Sequence, residues 1–153
     1  MVRMTLLNGF APIIGAGKTE WDHVNISDLS ALILGLVDAT QDSSKQKDPE
    51  IFGLNAYYFA ESGSHKWADV AQWIADECHR QGYIAEAATK NITLEEAAAM
   101  KGSTGGRTYG LNSKGKAERA NRYLGWKPQA RSLQASIADL VKEQAQQLNL
   151  KSV

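Results

Sequence analysis

The hydrophobic and polar positions of this chain change period several times, and each period predicts an element. Residues 1–7 form a short apolar block that reads as a brief helix, halted at Asn8-Gly9. Ala11-Pro12-Ile13-Ile14 is a short extended piece closed by Gly15 and Gly17, and residues 21–26 alternate as a strand does. Ser27-Asp28 then opens a helix whose apolar face is Leu29, Leu32, Ile33 and Leu36. After the polar loop 41–49, the aromatic run at 55–60, bounded by Gly53 and Gly63, predicts a buried strand.

Ser64 is the expected cap of the next helix, where Trp67, Val70, Ala71, Ile74 and Cys78 recur at three or four residues until Gly82 ends it. Thr93 and Glu96 have capping-box spacing ahead of a short Ala-rich helix. The segment 102–112 carries four glycines and reads as a mobile or ligand-facing loop. Ser113 is expected to start a basic helix that stops at Gly125, and Ser132 a last helix striped by Leu133, Ile137, Leu140 and Val141. The sum is one α+β domain over residues 1–153, helix-rich with few short strands.

Composition removes whole classes of function. Seventeen Lys+Arg balance seventeen Asp+Glu, so no net field draws the chain to nucleic acid or anionic lipid. The longest apolar run, residues 31–37, is far below the ~20 residues that span a bilayer, and no secretory leader is evident. The expected location is the cytoplasm. The one cysteine, Cys78, falls within an apolar stripe and reads as a packed thiol. His65, Lys66, His79 and Arg80 have no carboxylate or cysteine at ligand spacing, so no metal site is expected.

Three motif-like strings fail on inspection. Gly15-Ala16-Gly17-Lys18-Thr19 resembles the end of a phosphate-binding loop, yet Pro12 stands at its first glycine and a strand is predicted after it. The dinucleotide pattern Gly-x-Gly-x-x-Gly has Glu20 at its third glycine. Tyr123 and Lys127 have the spacing of a dehydrogenase catalytic pair, but Gly125 and Pro128 break the helix that would align them.

Three further segments belong together: Trp21-Asp22-His23-Val24-Asn25-Ile26-Ser27-Asp28-Leu29, then Tyr57-Tyr58-Phe59-Ala60-Glu61-Ser62-Gly63, then Leu124-Gly125-Trp126-Lys127-Pro128 before a final helix. In order and spacing they resemble the C-terminal, substrate-binding half of NAD-dependent epimerase/dehydratases, which are extended short-chain dehydrogenases, and the resemblance covers nearly the whole chain. It implies a substrate lobe without its Rossmann half. The family uses NAD or NADP, but its Gly-rich cofactor loop and catalytic Tyr-x-x-x-Lys have no counterpart here, so the resemblance implies that this chain alone binds no cofactor and is no oxidoreductase. Trp21 stands where nucleotide-sugar epimerases resemble one another in carrying an arginine, which points to a flatter or more apolar ligand than a sugar diphosphate.

Carried over, the resemblance places a substrate site at Trp21, Tyr58, Arg107 and Tyr109, with His23 and Glu61 as candidate catalytic groups. Arg107, the one cation of its loop, is the expected anchor for an anionic or carbonyl group. Each residue has a plainer reading: Trp21 and Trp126 as core, His23 as a hydrogen-bonded strand residue, the basic residues Lys114, Lys116, Arg119 and Arg122 as a solvated face rather than an anion site. Tyr57 and Tyr58 point to opposite faces, so one of them is core. Three functions stay open: a stand-alone small-molecule binder or half-enzyme that works beside a separate Rossmann chain, a cofactor-free isomerase or cyclase, and a truncated fragment of a full NAD(P)-dependent enzyme; the expected partners are a small organic molecule and a Rossmann-domain chain or a second copy of this chain.

Overall fold

The structure is a computed structural model that describes residues 1–151, the side chains of Gly106 and Arg107 excepted. It is an α+β fold, helix-rich with few short strands. In chain order the elements are α1 (Val2–Asn8), β1 (Ala11–Ile14), β2 (Glu20–His23), α2 (Ile26–Gln41), α3 (Pro49–Phe52), β3 (Gly63–Lys66), α4 (Trp67–Arg80), β4 (Thr89–Ile92), α5 (Leu94–Ala99), a 3-10 turn (Gly106–Gly110), α6 (Glu118–Leu124) and α7 (Leu133–Gln147). Among the described residues no helix is long and apolar enough to cross a membrane.

The chain packs as two compact units. Unit 1 is Met1–Trp21, His65–Ser113 and Leu133–Val153; unit 2 is Asp22–Ser64 and Lys114–Ser132.

Unit 1 is built around a parallel pair. Strand β1 lies beside β4 with Ala11 opposite Thr89 and Ile14 opposite Ile92. Parallel strands need a long crossover, and α4 lies within it and packs on β1. The face of α4 predicted by spacing is the buried one: Val70, Ile74 and Cys78 join Leu6, Ile84, Ile137, Val141 and Ala145 in one core. Thr93 and Glu96 close a reciprocal capping box at the start of α5. Ser64 is not the cap of α4. It lies in β3, which pairs with β2, and α4 begins only at Trp67, whose backbone N–H donates to the Thr19 carbonyl at 3.1 Å instead of to a capping side chain.

Unit 2 is held by α2 and α6 around Leu32, Ala120 and Trp126, with Val24, Tyr58, Ala60 and Leu124 packed against them. Asn25 caps α2, its side-chain oxygen accepting from the Ser27 N–H at 3.0 Å. Leu32 faces the core as expected, but Ile33 is exposed together with Leu34 and Val37. Two elements differ from expectation. Residues 55–60 form no strand, because no neighbouring strand pairs with them. The basic helix begins at Glu118 rather than Ser113: the Ser113 N–H donates to the Glu20 carbonyl and the Gly115 N–H to the Asp22 carboxylate, so these residues run tied to β2 before the helix starts. Gly125 ends α6 in the left-handed region at φ 65°, where its N–H reaches back to the Ala120 and Asn121 carbonyls.

Candidate functional site

Burial along residues 55–60 alternates residue by residue, the signature of a chain that shows one face to the core and the other to solvent. Tyr58 and Ala60 pack against the unit 2 core, whereas Asn55, Tyr57, Phe59 and Glu61 line an open cavity of about 1220 Å³. At the end of this segment the Ser62 N–H and hydroxyl both donate to the His23 carbonyl, at 2.8 and 3.1 Å, which anchors it to the end of β2.

A second wall is the irregular stretch Lys114 to Ala117 that leads into α6, followed by Glu118, Arg119 and Asn121 of that helix and by Trp126 and Pro128. Gly115 holds the two walls in register. Its N–H donates to Asp22 Oδ2 at 2.9 Å, and a Cβ there would lie 3.0 Å from both Asp22 Oδ2 and Phe59 Cδ1. A side chain at this position would have to push Phe59 or Asp22 aside. Lys114, Lys116 and Arg119 share the lining with Asp22, Glu61 and Glu118, so positive and negative side chains are evenly matched. Arg119 is turned to Glu50, 3.3 Å away, and lies over the Tyr123 ring at 4.7 Å.

The residues expected to form one substrate site are distributed over both units. Glu61 lines the cavity. Tyr58 does not: its hydroxyl donates to the Ile51 carbonyl at 3.2 Å, burial raises its phenol pKa, and it borders a separate apolar recess of about 430 Å³ beside Ile33, Val37 and Phe52. Its neighbour Tyr57, 73% exposed, takes the cavity position. His23 is absent from the lining, and its ring lies close to Gly63, where an added Cβ would come within 3.1 Å of Nε2.

Trp21 and Tyr109 belong to unit 1 and meet there through Trp67. The Trp67 ring stands 5.5 Å from Trp21, edge-on, and 4.6 Å from Tyr109. The Trp21 indole N–H donates to the Leu111 carbonyl at 2.8 Å, and the Tyr109 carbonyl accepts from the Thr19 hydroxyl at 2.7 Å. Burial raises the Tyr109 phenol pKa. These contacts fasten the second half of the Gly-rich segment, which was expected to be a mobile or ligand-facing loop. The Arg107 side chain lies outside the described residues. Sequence reasoning missed Phe59 and Gly115 altogether; the two-residue period through Asn55, Tyr57, Phe59 and Glu61 was the signal that could have found the wall.

The turn after β1 does not form a pyrophosphate cradle. Gly15 and Gly17 adopt positive φ, but the Gly17 N–H is spent on the Ile14 carbonyl at 3.1 Å, and the turn feeds strand β2 rather than a helix N-terminus. A dinucleotide of the usual kind does not fit this turn. Among the described residues no group of three or more His, Cys, Asp or Glu side chains could hold a metal ion.

Comparison with known proteins gives one informative likeness. The chain is 34% identical over 154 residues to an oxidase, ucsJ, of Acremonium sp. The match takes in 98% of this chain and 44% of that protein, so the chain spans less than half the length of the curated relative it matches. No protein-family model matches the chain. No solved structure matches it.

Proposed function

We propose that this chain is the substrate-binding portion of an oxidoreductase related to the NAD-dependent epimerase/dehydratases. It holds a small organic molecule in the unit 2 cavity, while the nicotinamide and the catalytic acid are supplied by sequence outside these residues, either a Rossmann-type partner chain or the remainder of a longer polypeptide. The likeness to an oxidase, over nearly all of this chain and less than half of the relative, carries this reading. The misfit of the Gly15–Gly17 turn to a dinucleotide supports it, as does a cavity large enough for an organic ligand.

The chain's own contribution is then binding and orientation. The bound cofactor would supply hydride transfer. The aromatic wall excludes water from one side of the ligand, and Glu61 and Asn55 offer polar contacts at its edge. Calorimetric titration of the chain with NAD+, NADH and NADPH tests the proposal: no saturable heat is expected at micromolar concentration. Saturable binding of any of the three would sink it.

A further inference from the structure

Two rings on the cavity wall stand largely in water. Tyr57 is 73% exposed and Phe59 62% exposed, and both line the same cavity because they are two residues apart on an alternating segment. An extended chain rises ~3.3 Å per residue, which spaces the two side chains by roughly 6.6 Å. A separation of that order lets one planar ring system lie across both side chains, each within the roughly 4.5–7 Å centroid distance at which aromatic rings pair. Exposed aromatics of this kind are sequence-tolerant stacking platforms for any flat π-system.

The charges around them limit what the ligand carries. Lys114, Lys116 and Arg119 share the lining with Asp22, Glu61 and Glu118. A ligand with several negative charges, such as a nucleoside diphosphate, would meet these carboxylates as well as the cations. With the charges evenly matched there is no net positive field to hold a polyanion, whereas a neutral ligand or one with a single acidic group needs none.

We infer that the unit 2 cavity takes a planar, conjugated ring system bearing at most one charge, stacked on Tyr57 and Phe59. This names the substrate class for the site and rests on the proposal that the chain binds substrate.

The test uses the full chain and three probes: 1-pyrenebutyrate, neutral 1-pyrenemethanol and uridine diphosphate. Both pyrenes should bind saturably at one site, and uridine diphosphate should neither bind nor compete. Phe59→Ala should weaken pyrene binding about tenfold and Tyr57→Ala at least threefold, because each removes one stacking face. Val37→Gln, at the separate apolar recess, should leave the affinity unchanged. The inference is overturned if uridine diphosphate binds as tightly as the pyrenes, if Phe59→Ala has no effect, if Val37→Gln abolishes binding, or if neither pyrene saturates below ~1 mM. The cofactor titration above is independent of these outcomes, so the stacking site can fail while the assignment as a cofactor-free substrate lobe stands, and the reverse.

Discussion

The indole N–H of Trp126 donates to the backbone carbonyl of Asp28 at 2.9 Å, and the carboxylate of the same aspartate accepts the backbone N–H groups of Gln129, at 2.8 Å, and Ala130, at 3.2 Å. One residue in the first turn of α2 thus fastens the segment that follows α6. Two of the sequence motifs, the one containing Asp28-Leu29 and the one containing Trp126-Lys127-Pro128, are therefore two sides of a single lock, and Trp126 and Pro128 of it also line the cavity.

Asp28→Ala should break that lock. It leaves the Gln129 and Ala130 amides without acceptors in a partly buried place, at about 1–3 kcal/mol. Asp28→Asn keeps one carbonyl oxygen toward the amides and should cost roughly half as much. Chemical denaturation monitored by Trp fluorescence reads the midpoints. Equal midpoints for Asp28→Ala and the unaltered chain would show that the lock contributes nothing.

Glu50 gives a pH-dependent contribution of known sign. Its carboxylate accepts from the Tyr123 hydroxyl at 3.0 Å and pairs with Arg119, and these hydrogen bonds hold its pKa below the ordinary glutamate value of 4.5. A pKa lower in the folded state than in the unfolded one means stability present above 4.5 and lost as pH falls through the folded value. Solvent exposure keeps the effect small. Carboxyl titration by NMR should show Glu50 titrating below 4.5 and moving back toward it in Tyr123→Phe; an unmoved value in that variant would refute the assignment.

Cys78 should be chemically silent in the folded chain. It is buried in the unit 1 core, and burial pushes its thiol up from 9.0 to about 12. The thiolate that alkylating reagents need is then scarce at pH 8. Between 9.0 and about 12 the unfolded chain loses this proton and the folded one keeps it, so stability falls as pH rises through that window. Iodoacetamide at pH 8 should label Cys78 only after denaturant is added, and rapid labelling of the native chain would contradict the packing.

Much of the fold was legible because local chemistry decides it. The Thr93–Glu96 box and the stops at Gly9 and Gly125 rest on contacts within a few residues, and the buried face of α4 shows in the three- and four-residue spacing of its own apolar side chains, whatever they pack against. What was misread depends on partners distant in sequence. Nothing in Asn55 to Ala60 reveals that no strand lies alongside, and nothing near Ser64 reveals that β2 claims it. Of the site, the opposite orientation of Tyr57 and Tyr58 was legible; which of the two met the core was not, because the core residues Leu32 and Trp126 come from elsewhere in the chain. The Phe59–Gly115 contact could not be read at all, since it joins segments that only folding brings together.

The two stretches that make unit 2 each leave unit 1 and return to it, between Trp21 and His65 and between Ser113 and Leu133. To the parallel strands of unit 1, the first stretch is part of one long excursion between Ala11 and its partner Thr89. The entropy of closing such an excursion grows only with the logarithm of its length, about 0.6 kcal/mol for each doubling. Residues can therefore be gained, lost or exchanged along the Tyr57–Phe59 wall at little expense to the unit 1 core, so natural variation can reshape the cavity while the parallel pair and its packing stay as they are.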